Sequence, residues 1–172
     1  VVGIYAAAAS DSHTHYQHDA VAQFVNGADG VFDLSILASA SAGEAGDAEA
    51  YVDLDTIIGV SAVSANGNAI ASAVNEGALN VELTAIADSV VEPGEDVIGG
   101  DYASADVWVD SVWSINARNN TGVNNTYALA EGVNDGVFSV ALSSSAESDG
   151  DADAETDFDS IVEVSAVQYG GG

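Results

Sequence analysis

The sequence predicts an all-β fold: an antiparallel meander of about ten strands made from three internal repeats, forming a β-sandwich or barrel, with a β-prism-like arrangement as the alternative. Three observations carry this expectation. Two residue patterns recur three times each, in the same order, along the 172 residues. Apolar residues alternate with polar ones at period two, as in a strand with one buried face. Helical periodicity is absent, because the plentiful Ala is interleaved with Val, Ser and Gly.

The first pattern is a hydrophobic residue, Asp, a hydroxyl residue and two more hydrophobics. It appears as Leu54-Asp55-Thr56-Ile57-Ile58, Val109-Asp110-Ser111-Val112-Trp113 and Phe158-Asp159-Ser160-Ile161-Val162, each running on into an alternating stretch. This is strand A. The N-terminus, Val1-Val2-Gly3-Ile4-Tyr5-Ala6, matches only its second half. Aligned positions Val2, Ile58, Trp113 and Val162 are 56, 55 and 49 residues apart, so length differences fall in loops. Strand B is short: Ala20–Val25, Ala69–Val74 and Tyr127–Val133. It leads into the second pattern, Val-Asn followed closely by Gly: Val25-Asn26-Gly27, Val74-Asn75-Glu76-Gly77 and Val133-Asn134-Asp135-Gly136. Asn and Gly tolerate positive φ, which predicts a tight hairpin here. Strand C follows, with Phe32, Leu34 and Ile36 as its buried face in the first copy, Leu79, Val81 and Leu83 in the second, and Phe138, Val140 and Leu142 in the third. Pro93 lies in the longest loop, consistent with its exclusion from central strands.

These units place a single β domain over 1–172, with repeats over approximately 1–56, 57–111 and 112–161 and a surplus C-terminal strand over 158–169. That last strand has an apolar edge to pair, either within the chain or with a neighbouring subunit by strand donation. Curli-type amyloid repeats offer a comparison. The Gln/Asn ladders of such repeats are not evident, and strands unequal in length and face are expected of a folded domain more than of a stacked cross-β coil.

Composition narrows the function. There are 28 acidic residues against one basic residue, Arg118, giving a net charge of -27. That excludes nucleic acid and anionic membrane surfaces as partners, since both need Lys and Arg. Self-repulsion of this size has to be offset by divalent cations, salt or dispersal over an assembly. Cysteine is absent, which removes disulfides and thiolate metal sites. The apolar runs are too short for a membrane-spanning helix. A chain starting at Val1 is expected to be a secreted, extracellular or cell-surface protein whose signal has been removed.

Candidate sites are few. His13, His15 and His18 cluster near the first turn, with Asp11 or Asp19 as a fourth ligand for a transition metal. Asp149, Asp151, Asp153, Glu155 and Asp157 form an acidic stretch with Gly150, a composition suited to a Ca²⁺ loop though without the EF-hand order. Asn119 and Asn124 begin glycosylation acceptor triplets. Asp55, Asp110 and Asp159 are expected to bond backbone or hydroxyl groups near a kink in strand A. Tyr16, Tyr102, Trp108 and Trp113 are aromatic candidates for stacking on sugar. No nucleophile motif, phosphate loop or distinct carboxylate pair stands out, so no enzymatic activity is expected. The sequence therefore points to a structural subunit of an extracellular filament, tube or matrix. It would assemble with copies of itself through strand edges or strand donation, with Ca²⁺ as the only cofactor. The alternative is a Ca²⁺-dependent carbohydrate-binding or adhesin module that takes glycans as partners.

Overall fold

The computed structural model describes residues 1–8, 18–42, 46–89, 102–120 and 126–169. These residues form ten strands and no helix: β1 (Val2–Ala8), β2 (Ala20–Asn26), β3 (Val31–Ser41), β4 (Ala48–Ser64), β5 (Ala69–Asn75), β6 (Ala78–Ser89), β7 (Tyr102–Asn119), β8 (Ala128–Asn134), β9 (Val137–Ser148) and β10 (Asp151–Gln168). They fall into three sheets, A (β1-β4-β7-β10), B (β2-β5-β8) and C (β3-β6-β9). Every pairing is parallel.

The expected antiparallel meander is therefore wrong, and with it the sandwich, barrel and prism. Consecutive strands do not pair. Each repeat is one coil that visits A, B and C in turn, and the next coil lies directly on it. Parallel pairing needs a crossover of a dozen or more residues, and the other two sheets of the coil supply it. The short Asn/Gly connections are corners between sheets, where the chain changes direction without returning alongside itself. The register follows the repeat: Val2 lies on Ile58, Ile58 on Trp113, and Val162 on Trp113.

Period-two alternation buries one face of each strand. The ladder Leu34–Val81–Val140 and the ladder Phe32–Leu79–Phe138 both point into the coil. The middle coil is covered on both sides, so Leu79 and Leu83 are fully buried, each stabilising the fold by about 1.5–3 kcal/mol. Mostly Ala faces inward on sheet B, Ala69, Ala71 and Ala73 among them, which lets that wall approach closely. Trp113 on sheet A is the largest fully buried side chain. Across the interior from it stands Gly132, whose absent Cβ leaves room for Ile115 and the indole. Trp113 meets Phe138 edge-on at 5.5 Å, and its Nε1 is buried without a hydrogen-bond partner. An unpaired donor of this kind costs about 1–3 kcal/mol.

The B–C corner overturns a second expectation. Asn26, Asn75 and Asn134 stack as a ladder. Asn26 Nδ2 donates to Asn75 Oδ1 (2.7 Å) and to Ala78 O (2.8 Å); Asn75 Nδ2 donates to Asn134 Oδ1 (2.7 Å) and to Val137 O (2.9 Å). The chain is thus a stacked parallel coil with an Asn ladder, the arrangement set aside on sequence. The glycines at this corner are needed for close approach: a Cβ on Gly77 would strike the carbonyl oxygens of Gly30 and Gly27 in the coil before it.

Candidate functional site

Sheet A changes direction part-way along. Both Ile57 and Ile58 are buried, as are Val112 and Trp113, so strict alternation breaks just after the repeated Asp. The hydroxyls beside the Asp residues make the interstrand contacts: Thr56 Oγ1 and Ser111 Oγ share a hydrogen bond at 3.1 Å, and Ser160 Oγ donates to Asp110 O at 3.2 Å. Asp55, Asp110 and Asp159 instead face outward as a column of exposed carboxylates. The expected hydrogen-bonding role near a bend falls to their neighbours.

The outer face of sheet A before this bend is the most chemically distinctive surface among the described residues. Ladder pairing sets Glu49 beside Ser104 and Ser104 beside Asp153, Tyr51 beside Asp106 and Asp106 beside Glu155, and Asp53 beside Trp108 and Trp108 beside Asp157. Tyr51 and Trp108 are 53% and 48% exposed, far above their buried neighbours. A cleft of about 280 Å³ lies between them, lined also by Val52, Asp53, Asp106 and Glu155. Partial desolvation raises the Tyr51 phenol pKa above its ordinary value; the charges of Glu49 and Asp106 push the same way, and a Ser104 hydrogen bond opposes them. Sequence analysis singled out Trp108 but not Tyr51. The signal available was the alternation Ala48-Glu49-Ala50-Tyr51-Val52-Asp53, which puts Glu49, Tyr51 and Asp53 on the outward side.

The stretch expected as a Ca²⁺ loop is mostly strand. Only Asp149 and Gly150 form a turn; Asp151 onward is strand β10. Asp151, Asp153, Glu155 and Asp157 all point outward from it, spaced by roughly 7 Å along the strand, so they form a row and do not converge. Among the described residues no three His, Asp or Glu side chains group to hold a metal ion. His13 and His15 lie outside the described residues. His18 is exposed at the A–B corner, where its carbonyl accepts from Ser64 Oγ (2.9 Å). Asp19 accepts from Asn68 N at 2.7 Å, and so braces the next coil's corner.

Asn119 is fully buried and its Nδ2 donates to Gly67 O at 2.9 Å, which leaves no room for a glycan. Asn124 lies outside the described residues, as does Tyr16. Of the other aromatics, Trp113 is core and Tyr102 half-buried. Arg118, the lone basic side chain, donates to Asn120 Oδ1 (2.7 Å) and lies 4.8 Å from the centre of the Tyr169 ring. Compared with known protein families, curated proteins and solved structures, the chain matches none.

Two surfaces stand out among the described residues. One is the acidic and aromatic outer face of sheet A. The other is the pair of coil ends. There β1, β2 and β3 at one end, and β8, β9 and β10 at the other, lack a strand partner on one side among the described residues. The inward side chains at these ends are apolar and only partly covered: Phe24 and Phe32 at the first, Phe138 and Phe158 at the second.

Proposed function

We propose that this chain is a structural subunit of an extracellular or cell-surface filament, tube or matrix, without catalytic activity, which grows by stacking coil on coil through its open strand edges. The observation that supports this reading is that, among the described residues, both coil ends are apolar and unpaired. Solenoid proteins that stay monomeric need polar terminal caps, and an unpaired edge is a template for another strand. The distribution of charge supports the same reading. The outer face of sheet A carries Asp53, Asp55, Asp106, Asp110, Glu155 and Asp157, so lateral contact between subunits is repulsive, while the ends carry apolar rings. Growth along one axis is the association this favours. Ca²⁺ enters as a counterion to the outward carboxylate rows.

Electron microscopy of the purified chain in high salt and in Ca²⁺ tests the proposal. Unbranched filaments are expected, with fibre diffraction near 4.8 Å along the axis from stacked parallel strands. Dispersed monomers under both conditions would refute it.

A second reading is supported by the exposed pair Tyr51 and Trp108. A cleft with two aromatic rings and several carboxylate acceptors suits a carbohydrate ligand. Glycan-array binding that Trp108→Ala abolishes is expected on this reading; an array with no signal, with or without Ca²⁺, counts against it.

A further inference from the structure

The strands of sheet A are unequal at the two ends. β1 covers only Ile58–Ser64 of β4, and no described strand lies on that side of Ala48–Thr56. At the other end β10 runs the length of β7, with no strand of sheet B or C at its level. Its inward side chains face a coil that is not closed: Val162 and Val164 are 44% and 49% exposed, whereas their ladder partners Trp113 and Ile115 are each 1% exposed.

A second copy stacked in the same polarity and register supplies what is missing. Its β2 lies on β8 and its β3 on β9, at the level of β10. The donors and acceptors of the Asn ladder match across that joint. Asn134 Nδ2 has its own Gly136 O at 3.3 Å. In the joint it faces Asn26 Oδ1 and Val31 O of the second copy, the counterparts of the Asn75 and Ala78 acceptors that Asn26 uses within one chain. The Ala152–Ser160 half of β10 then falls beside Ala48–Thr56 of the second copy. The remaining half falls on Ile58–Ser64, where β1 of that copy already sits. Two strands cannot share one place.

We propose that β10 of one copy displaces β1 of the next. β1 would be a removable strand that covers the joint until a second copy arrives. The inference rests on the assembly reading above and specifies its partner, polarity and joint. The inward side chains are interchangeable in kind: Val2, Ile4 and Ala6 of β1 against Val162, Val164 and Ala166 of β10. Length decides the exchange. β1 has 7 residues; β10 has 18, is already ordered by β7, and covers both halves of β4 in one piece. Each coil across the joint then contains one strand from every sheet.

The test locks β1 in place. Tyr5 and Ser61 are ladder partners, and Tyr5 is exposed on the outer face. Adjacent strands are about 4.8 Å apart, within disulfide reach, and the chain has no cysteine of its own. The double variant Tyr5→Cys, Ser61→Cys is oxidised and compared with its reduced form by sedimentation, under conditions where wild type assembles. The oxidised form should need at least about tenfold more protein to assemble, and reduction should restore wild-type behaviour. Equal assembly of both forms overturns the exchange. If the reduced form fails to recover, Asn134→Asp decides: it keeps the acceptor for Asn75 but loses the donor across the joint. It should not assemble alone and should shorten wild-type filaments at substoichiometric ratios; wild-type assembly of this variant overturns the joint. Failure of the wild-type chain itself to assemble refutes the assembly reading instead.

Discussion

Replacing Asn75 by Ala should lower the unfolding free energy by roughly 3 kcal/mol, and the structure gives the parts of that figure. Asn75 is fully buried in the middle of the ladder. It accepts from Asn26 at 2.7 Å and donates to Asn134 Oδ1 at 2.7 Å and to Val137 O at 2.9 Å. Each such bond contributes about 1 kcal/mol net. The orphan penalty is small, because Asn26 Nδ2 keeps its bond to Ala78 O and the exposed Asn134 can be rehydrated. The void left by the amide group adds to the loss. Asn134→Ala removes one accepted bond and one long donated bond, to Gly136 O at 3.3 Å, both at an exposed end, and should cost about 1 kcal/mol. Urea denaturation followed by far-UV circular dichroism, on both variants and wild type at assembly-free concentration, measures the difference. An Asn75→Ala protein within about 0.5 kcal/mol of wild type, or no worse than Asn134→Ala, would show that the ladder does not hold the coils together.

Three other perturbations probe different parts of the coil. Gly77→Ala drives a methyl group into the Gly30 carbonyl of the preceding coil, where backbone cannot yield as a side chain would; a loss of about 3 kcal/mol or failure to fold is expected by the same assay, and a wild-type midpoint would contradict the corner packing. Like charges adjoin on sheet A: Asp106 pairs with Glu155, and Asp55, Asp110 and Asp159 each sit between paired residues of the same ladders, and each such neighbour opposes folding by about 0.2–1 kcal/mol. Raising NaCl from about 0.01 to 1 M shortens the screening length from about 30 to 3 Å, so stability should rise by on the order of 2 kcal/mol; a flat or falling trend would refute this. Tyr51, whose phenol pKa is raised chiefly by desolvation, holds its proton longer in the folded chain than in the unfolded one. Stability from this group is complete below the ordinary tyrosine range and is lost as pH rises from there through the folded value. Ultraviolet titration should show one late-ionising tyrosine that Tyr51→Phe removes; an unchanged titration curve would refute the assignment.

Much of the local structure was legible in the sequence. The stretches expected as strand B emerge as β2, β5 and β8, within a residue at each end. The apolar positions expected on strand C all point inward. What misled was the corner chemistry. Val-Asn-Gly reads equally well as a hairpin or as a turn between two walls of a coil, because both need a short, polar, Cβ-poor segment. The distinguishing sign was present: Asn26, Asn75 and Asn134 recur at one offset while their neighbours change from Gly to Glu to Asp. A residue that only serves its own turn has no reason to be copied so strictly; one that bonds its own copies in the adjacent coils does. The Asp149–Asp157 stretch misled for a related reason. Clustered acidic residues read as loop, yet Asp151-Ala152-Asp153-Ala154 alternates at period two and extends β10.

The sequence by itself determined the unit: a segment of roughly fifty residues with three strand stretches, its inward faces, and the register by which copies correspond. Those properties are local, fixed by side-chain alternation and turn residues along the chain. Only the tertiary structure decided that corresponding strands lie on one another in parallel. Strand polarity depends on where the chain goes between two paired segments, and that path is set by contacts between residues some fifty positions apart. The burial of Asn75 and Asn119, the outward rows of carboxylates and the open apolar ends all follow from that one choice.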